Sequence, residues 1–342
     1  MLRLNLDPRT NLAYKPNRMN QLICGCIALG LLLVPSLGAD SLKGSPRPLP
    51  HHPGNIFLAG EEVVLNVPLQ RTNRWGLWSY EEKKLAEFPP GSGEPLRLGR
   101  LPVGYYRLRA EGETNAPAIS LGVLAPLAAP TPTNSAIGLD VAMAWFYPTN
   151  QMEAAASLCA LAGINWVRDR LTWGELEPQR GRFSGPNRYD ASARIQAEAG
   201  LRVLQVNHSS PRWANSDHHR FPLDLRDAYG FYREMARRWS GQVIAFEPWN
   251  EADIEVFGGH TGAEMAALQK AAYLGLKAGS PEVIACLNVF ALPNATQLAD
   301  LQQNQAWPYF DTFNLHHYAT FERYPGVRSE ERRVGKECRS RW

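Results

Sequence analysis

The residues Val243-Ile-Ala-Phe-Glu-Pro-Trp-Asn-Glu251 run from an apolar, β-branched and aromatic stretch into a Trp-Asn-Glu tripeptide. An indole, an amide and a carboxyl in consecutive positions suit one kind of chemistry. Glu251 can protonate the leaving oxygen of a glycosidic bond, Asn250 can bind a sugar hydroxyl, and Trp249 can stack on a sugar ring. The apolar stretch stops at Pro248 and reads as a buried strand, and residues just past such strands build the active sites of (β/α) barrels. The plainer alternative is that Glu251 only caps the following helix.

The surrounding pattern supplies the strands such a site needs. From Ala136 onward strands alternate with helices, which implies βα units and a parallel sheet. Strand 1 is predicted over Ile137 to Met143, then a helix from Asn150 to Ala162 that stops at Gly163, and strand 2 over Asn165 to Arg168. Leu201 to Val206 is strand 3, followed by a helix whose apolar residues Leu225, Tyr229, Tyr232, Ala236 and Trp239 share one face. Strand 4 leads to Glu251, and Thr261-Gly-Ala-Glu264 is a capping box opening the next helix. Strand 5 is predicted over Val283 to Leu287, and strand 6 with its exit over Phe310 to Tyr318. Residues 136–327 number 192 with six strands, whereas an eight-fold barrel takes about 250 residues. The expected fold class is therefore α/β, a truncated TIM (β/α)₈ barrel of about six βα units.

Ahead of it, residues 55–124 alternate with period two and read as a small all-β sandwich domain. Trp75, Trp78 and Tyr106 in it suit its core better than a polysaccharide-binding face. A Pro/Gly/His-rich leader over 39–54 and a Pro-rich linker over 125–135 flank the domain. Residues 1–38 carry Arg3, Arg9, Lys15 and Arg18 before an apolar run and small residues, the pattern of a secretory signal peptide. A secreted or periplasmic location, with no membrane span after its removal, is expected. Beyond that segment and the tail only Cys159 and Cys286 remain, too few for a disulfide framework and best read as small buried hydrophobes.

The last fifteen residues, 328–342, reproduce a common short-read library adapter when written back as codons. They are set aside as a scar. Without them, six of the 36 basic and three of the 33 acidic residues disappear, so thirty of each remain. The apparent net charge of +3 then vanishes, and no nucleic-acid partner is implied. The charge pattern says nothing about oligomeric state.

Over Ile137 to Tyr318 the chain resembles the (β/α)₈-barrel clan of retaining glycoside hydrolases, closest to the family 39 type that includes β-xylosidases and α-iduronidases. The resemblance implies that Glu251 is the acid/base and Asn250 the ligand of the sugar 2-hydroxyl. It implies that Arg168, in Trp166-Val-Arg168, pairs with the nucleophilic carboxylate. His208, Pro211 and Trp213 match a segment that lines the sugar pocket, with Trp213 either a stacking platform or a residue buried beneath a loop. His316 would face the sugar and Tyr318 would hydrogen-bond the nucleophile, while His317 points away into packing. Carboxylates of Trp173-Gly-Glu-Leu-Glu177 and Tyr189-Asp190 are expected to serve structure.

Retaining hydrolysis also needs a second carboxylate about 5 to 5.5 Å from the first. In the clan that nucleophile is a Glu after strand 7, which the resemblance places beyond this chain, so the polypeptide as written is expected to be inactive and prone to aggregate. No cofactor is implied. His208, His316 and His317 lack a Glu or Cys partner at metal-site spacing, so no metal site is expected. A competing reading is a secreted carbohydrate-binding protein on a catalytically dead barrel, stacking sugars on Trp173, Trp213 and Trp249. A barrel aldolase or isomerase would want a Lys near a strand end or a metal cluster, and neither is visible.

Overall fold

The computed structural model describes residues 45–66, 70–71, 74–92, 95–112, 118–288, 290–291 and 295–318. The expected signal peptide (1–38), the start of the leader and everything after Tyr318, including the adapter-like tail, lie outside the described residues. No helix among the described residues is long and apolar enough to cross a membrane.

The small β domain contains β1 (Ile56–Leu58), β2 (Val63–Leu65), β3 (Gln70–Arg71), β4 (Trp75–Ser79), β5 (Lys84–Phe88), β6 (Gly91–Ser92), β7 (Leu96–Gly99), β8 (Gly104–Ala110) and β9 (Ile119–Leu124). Five of them form one sheet in the order β1-β9-β8-β4-β5, while β2 pairs with β7 and β3 with β6. Period-two alternation sends Leu77, Tyr106, Leu108, Leu121 and Val123 to one face of the large sheet. There they meet Val63, Leu65 and Leu96 of the β2/β7 ladder in a single apolar core. Tyr106 belongs to that core and donates its hydroxyl to Pro102 O at 2.7 Å, and Trp75 packs against it. Trp78 does not. The same alternation puts it on the opposite face, half-buried under the Arg109 guanidinium, among ion pairs of Lys84 and Arg109 with Glu87, Glu111 and Glu82.

The second part is a βα succession: β10 (Gly138–Asp140), α1 (Met143–Phe146), α2 (Thr149–Leu161), β11 (Trp166–Leu171), α3 (Trp173–Leu176), α4 (Arg188–Glu198), β12 (Arg202–Asn207), α5 (Leu225–Arg238), β13 (Val243–Glu247), α6 (Gly262–Gly279), β14 (Ile284–Ala285) and α7 (Ala295–Gln303). The five strands lie side by side in chain order and all pair in parallel. Val167, Asp169 and Leu171 of β11 are buried between sheet and helices. Trp166, Arg168 and Arg170 alternate onto the inner face. Register carries this across the sheet: Arg168 aligns with Leu204 and Ala245, and Arg170 with Val206 and Glu247. The inner face is therefore where charge collects.

Helices cover the other face. Trp173 stacks on Phe231, and Trp239 lies parallel to Phe246. Asp224 caps α5 through Arg226 N, and Arg237 and Arg238 sit in its last turn, where cations oppose the helix dipole. Both halves of the expected Thr261/Glu264 capping box are formed at α6. The α5 and α6 backbones touch directly, because a Cβ on Gly275 would lie 2.4 Å from Tyr229 O and one on Gly279 2.2 Å from Arg233 O.

Several expected boundaries change. Strand 1 ends at Asp140 rather than Met143 because Ala142 adopts a left-handed conformation (φ 43, ψ 46) and Met143 starts a helical turn. Strand 2 continues to Leu171, and strand 5 shrinks to Ile284–Ala285. The expected sixth strand is not regular. It meets β14 and its extension at two isolated parallel bridges, Cys286↔Thr312 and Phe290↔Leu315. The Asp311 side chain also takes the Ala285 amide at 2.8 Å, a bond a backbone carbonyl would make in a ladder. Cys159 and Cys286 are free and buried.

Candidate active site

The end of β13 places Glu251 on the inner rim by anchoring everything before it. Tyr232 donates its hydroxyl to Pro248 O at 2.5 Å, and Asn250 N reaches Asn207 O at 2.9 Å. Trp249 is fully buried, edge-on to Phe221, with Nε1 donated to Phe257 O at 2.9 Å. This corrects the expectation that Trp249 stacks on a sugar: its ring has no face to offer, and its work is to pin the loop. Glu251 follows at φ 43, a left-handed conformation that costs a non-glycine residue on the order of 1–2 kcal/mol. The carboxyl is 8 % exposed and hydrogen-bonds two residues from the sixth segment, His316 through Nδ1 and Tyr318 through a hydroxyl donated at 3.1 Å. Tyr318 was expected to serve the nucleophile and His316 the sugar, yet both engage Glu251. Desolvation and then the Glu251 charge push the Tyr318 phenol up, which keeps it a donor.

A second group lies alongside. Arg168 donates Nε to Glu247 Oε2 at 2.8 Å, Nη1 to Asp140 Oδ2 at 3.0 Å and Nη2 to Asn250 Oδ1 at 2.7 Å. Asn314 Nδ2 holds the other Glu247 oxygen at 2.6 Å, and Arg170 shares Asp140 at 2.8 Å. Among the described residues, the partners of Arg168 are thus Glu247, Asp140 and Asn250. Because Asn250 accepts through Oδ1, its amide nitrogen is the end turned to other partners.

His208 sits between rings, 5.0 Å from Trp145 and 5.6 Å from Phe257 by centroid. Burial, then the charges of Arg168, Arg170 and His316, lower its pKa to about 3, so the imidazole is neutral at ordinary pH. Its Nε2 is buried and has no hydrogen-bond partner among the described residues. Trp213 is tied elsewhere: Nε1 donates to Glu177 O at 2.8 Å, the ring meets Trp173 edge-on, and Arg180 lies over it. Those contacts leave it half-buried and packed against Trp173. Trp173 and Trp249 are both at 0 % exposure, so two of the three rings in the competing binding-protein reading are not on the surface.

Sequence reasoning passed over Glu247, Asp140, Asn314 and Asp169. Glu247 carried a legible signal, an acid closing a buried strand one register step from an inner-face arginine. Asp169, wholly buried, accepts Ala144 N (3.0 Å), Arg170 N (2.8 Å), Ser192 Oγ (2.5 Å) and Gln196 Nε2 (3.0 Å). It ties the turn after β10 to β11. The carboxylates Glu177 and Asp190 are structural: Glu177 accepts Trp173 Nε1 and Gly181 N, and Asp190 accepts Arg238 and Trp239. No group of three or more His, Cys, Asp or Glu among the described residues is placed to hold a metal ion.

No family model matches the chain, and no curated protein does. Among solved structures, a family 39 glycoside hydrolase from Bacteroides cellulosilyticus WH2 matches with TM-score 0.58 at 16 % identity, covering 80 % of this chain and 57 % of that one. The fold is shared with that hydrolase. It is a partial TIM barrel with a small β domain in front, and it spans little more than half the length of that relative. The exo-β-1,4-mannosidase Op5Man5 from Opitutaceae bacterium strain TAV5 (TM-score 0.39, 14 % identity, 59 % and 49 % covered) and endo-glycoceramidase II from Rhodococcus sp. (0.35, 15 %, 48 % and 50 %) also match.

The neighbourhood of the site carries a pH dependence. His260, packed face to face on Phe221 beside Trp249, has its pKa lowered to about 4, since burial and then Arg220 outweigh Glu264 and Asp217. A histidine depressed on folding leaves stability intact above its unfolded value near 6.5 and removes it as pH falls toward the folded value. His208 acts in the same direction. Urea unfolding should show a loss of up to about 3 kcal/mol from His260 between pH 7 and pH 4. His260→Gln should flatten that slope; an unchanged slope would remove this histidine from the account.

Proposed function

We propose that the chain is part of a secreted retaining glycosidase of family 39 type, with Glu251 as acid/base. The observation that supports this best is the seating of Glu251: buried, in a strained backbone conformation, past the carboxyl end of an inner barrel strand, hydrogen-bonded to His316 Nδ1 and accepting from the Tyr318 hydroxyl. Strain held at one carboxylate by surrounding anchors is the kind of expense that catalytic sites carry. Glu251 would protonate the leaving oxygen and then draw a proton from water, Asn250 Nδ2 would bind the 2-hydroxyl, and Arg168 would fix the amide in that orientation.

Glu247 has the Arg168 partner that the resemblance gives the nucleophile, but it closes strand β13 itself, whereas the family pattern puts the attacking Glu after a seventh strand. Asp169 and Glu177 face structural donors. On this reading hydrolysis needs a further carboxylate, and the 342-residue chain alone should not turn over. The test is to recover the uninterrupted gene, assay both polypeptides on aryl glycosides, and follow the first-formed sugar by proton NMR. Turnover by the longer protein alone, with anomeric configuration retained, is expected. Inversion would overturn the retaining assignment, and turnover by the short chain would overturn its inactivity.

A further inference from the structure

The turn after β10 carries three consecutive aromatics, Trp145, Phe146 and Tyr147, exposed by 36, 71 and 37 %. Nothing in the reaction described above uses them. The turn that presents them is strained and heavily braced. Ala142, wholly buried, holds the left-handed conformation while its amide and that of Val141 both reach Arg168 O at 3.1 Å. Its carbonyl takes Trp145 N and Phe146 N at 3.0 Å, and Asp169 takes Ala144 N. Among non-glycine residues described between Gly138 and Asn288, only Ala142 and Glu251 have positive φ, and both stand at carboxyl ends of barrel strands.

The aromatics are also fixed from the side. The Trp145 ring leans on neutral His208, and the Arg170 guanidinium lies 5.8 Å from the Trp145 ring centroid and 5.9 Å from that of Phe146. Arg170 shares Asp140 with Arg168, and Arg168 holds Asn250 next to Glu251, so platform and acid share one rim. We propose that Trp145 and Phe146, backed by His208 and Arg170, form a subsite that stacks an uncharged saccharide ring on the β10 side of the rim. The assignment rests on the glycosidase reading.

The chemistry selects that ligand. A rigid, partly exposed indole offers an apolar face to the C–H side of a pyranose. Arg170 and Arg168 are already neutralised by Asp140 and Glu247, so no unpaired cation is offered to an anionic sugar.

The full chain would be titrated with cellopentaose, xylopentaose and mannopentaose, reading intrinsic fluorescence and saturation-transfer NMR. At least one should bind. Trp145→Ala should weaken it about tenfold and Phe146→Ala by a smaller factor, while Trp145→Phe restores most of the affinity. Circular dichroism of each variant separates lost stacking from lost folding, and Trp145→Phe keeps the question open to refutation if Trp145→Ala unfolds. No binding by any pentasaccharide, or equal binding by folded Trp145→Ala, overturns the subsite. If the gene-length enzyme is insensitive to Glu251→Gln while Trp145→Ala still weakens binding, the catalytic reading fails and the platform stands; the reverse pair of results separates them the other way.

Discussion

Glu251→Gln in the gene-length protein is expected to lower kcat/KM on unactivated glycosides by about 10² to 10⁴-fold, the span that general acid–base assistance supplies. The amide keeps the size of the carboxyl and an oxygen that can accept from Tyr318, so the melting temperature should move little. Two further readouts sharpen the result. Dinitrophenyl glycosides, whose leaving group departs without a proton, should lose far less in their first step. Added azide should restore turnover of such substrates, because the anion attacks the glycosyl-enzyme without needing a base, displaces the enzyme carboxylate and leaves as the glycosyl azide. A uniform loss across leaving groups would instead point to a merely structural role for Glu251.

Arg168→Met should have the largest effect on folding. The change keeps length and removes a charge that Glu247 and Asp140 share, leaving a 4 % exposed carboxylate with Asn314 as its one remaining partner among the described residues. Breaking one side of a buried pair costs about 3–5 kcal/mol, because the remaining charge is stranded away from water. Chemical denaturation would measure it. The paired change Arg168→Met with Glu247→Leu should recover much of the loss, since an apolar pair of similar volume can replace a buried ion pair. Failure of that recovery would show that the pair is needed for more than charge balance. Saccharide affinity should still fall in the double variant, because Asn250 loses the donor that orients its amide.

The parts legible in the sequence were those set by local rules. The strand into Trp-Asn-Glu, the capping box at Thr261, the one-faced helix over Leu225–Arg238 and the alternation of the β domain all follow from periodicity and end signals, and each is present. What stayed hidden depends on tertiary register. Trp249 reads as a sugar platform until the loop folds its ring beneath Phe221, and Trp78 reads as core until strand pairing turns it outward. Asp140, Glu247 and Arg168 lie far apart in the chain and meet only because β10, β11 and β13 bring them to one inner face. Strand 1 was drawn too long because nothing local marks an alanine for a left-handed turn; Asp169, from the neighbouring strand, makes that turn hold.

The glycines at 275 and 279 have a reach beyond their own helix. The chain passes from α5 through β13 and the Glu251 loop straight into α6, so the acid hangs between two rods that meet main chain to main chain. Side chains at a helix contact can swap volume and let the rods slide, whereas a backbone seam has no such play. The position of Glu251 is thus tied to a joint with little room to adjust.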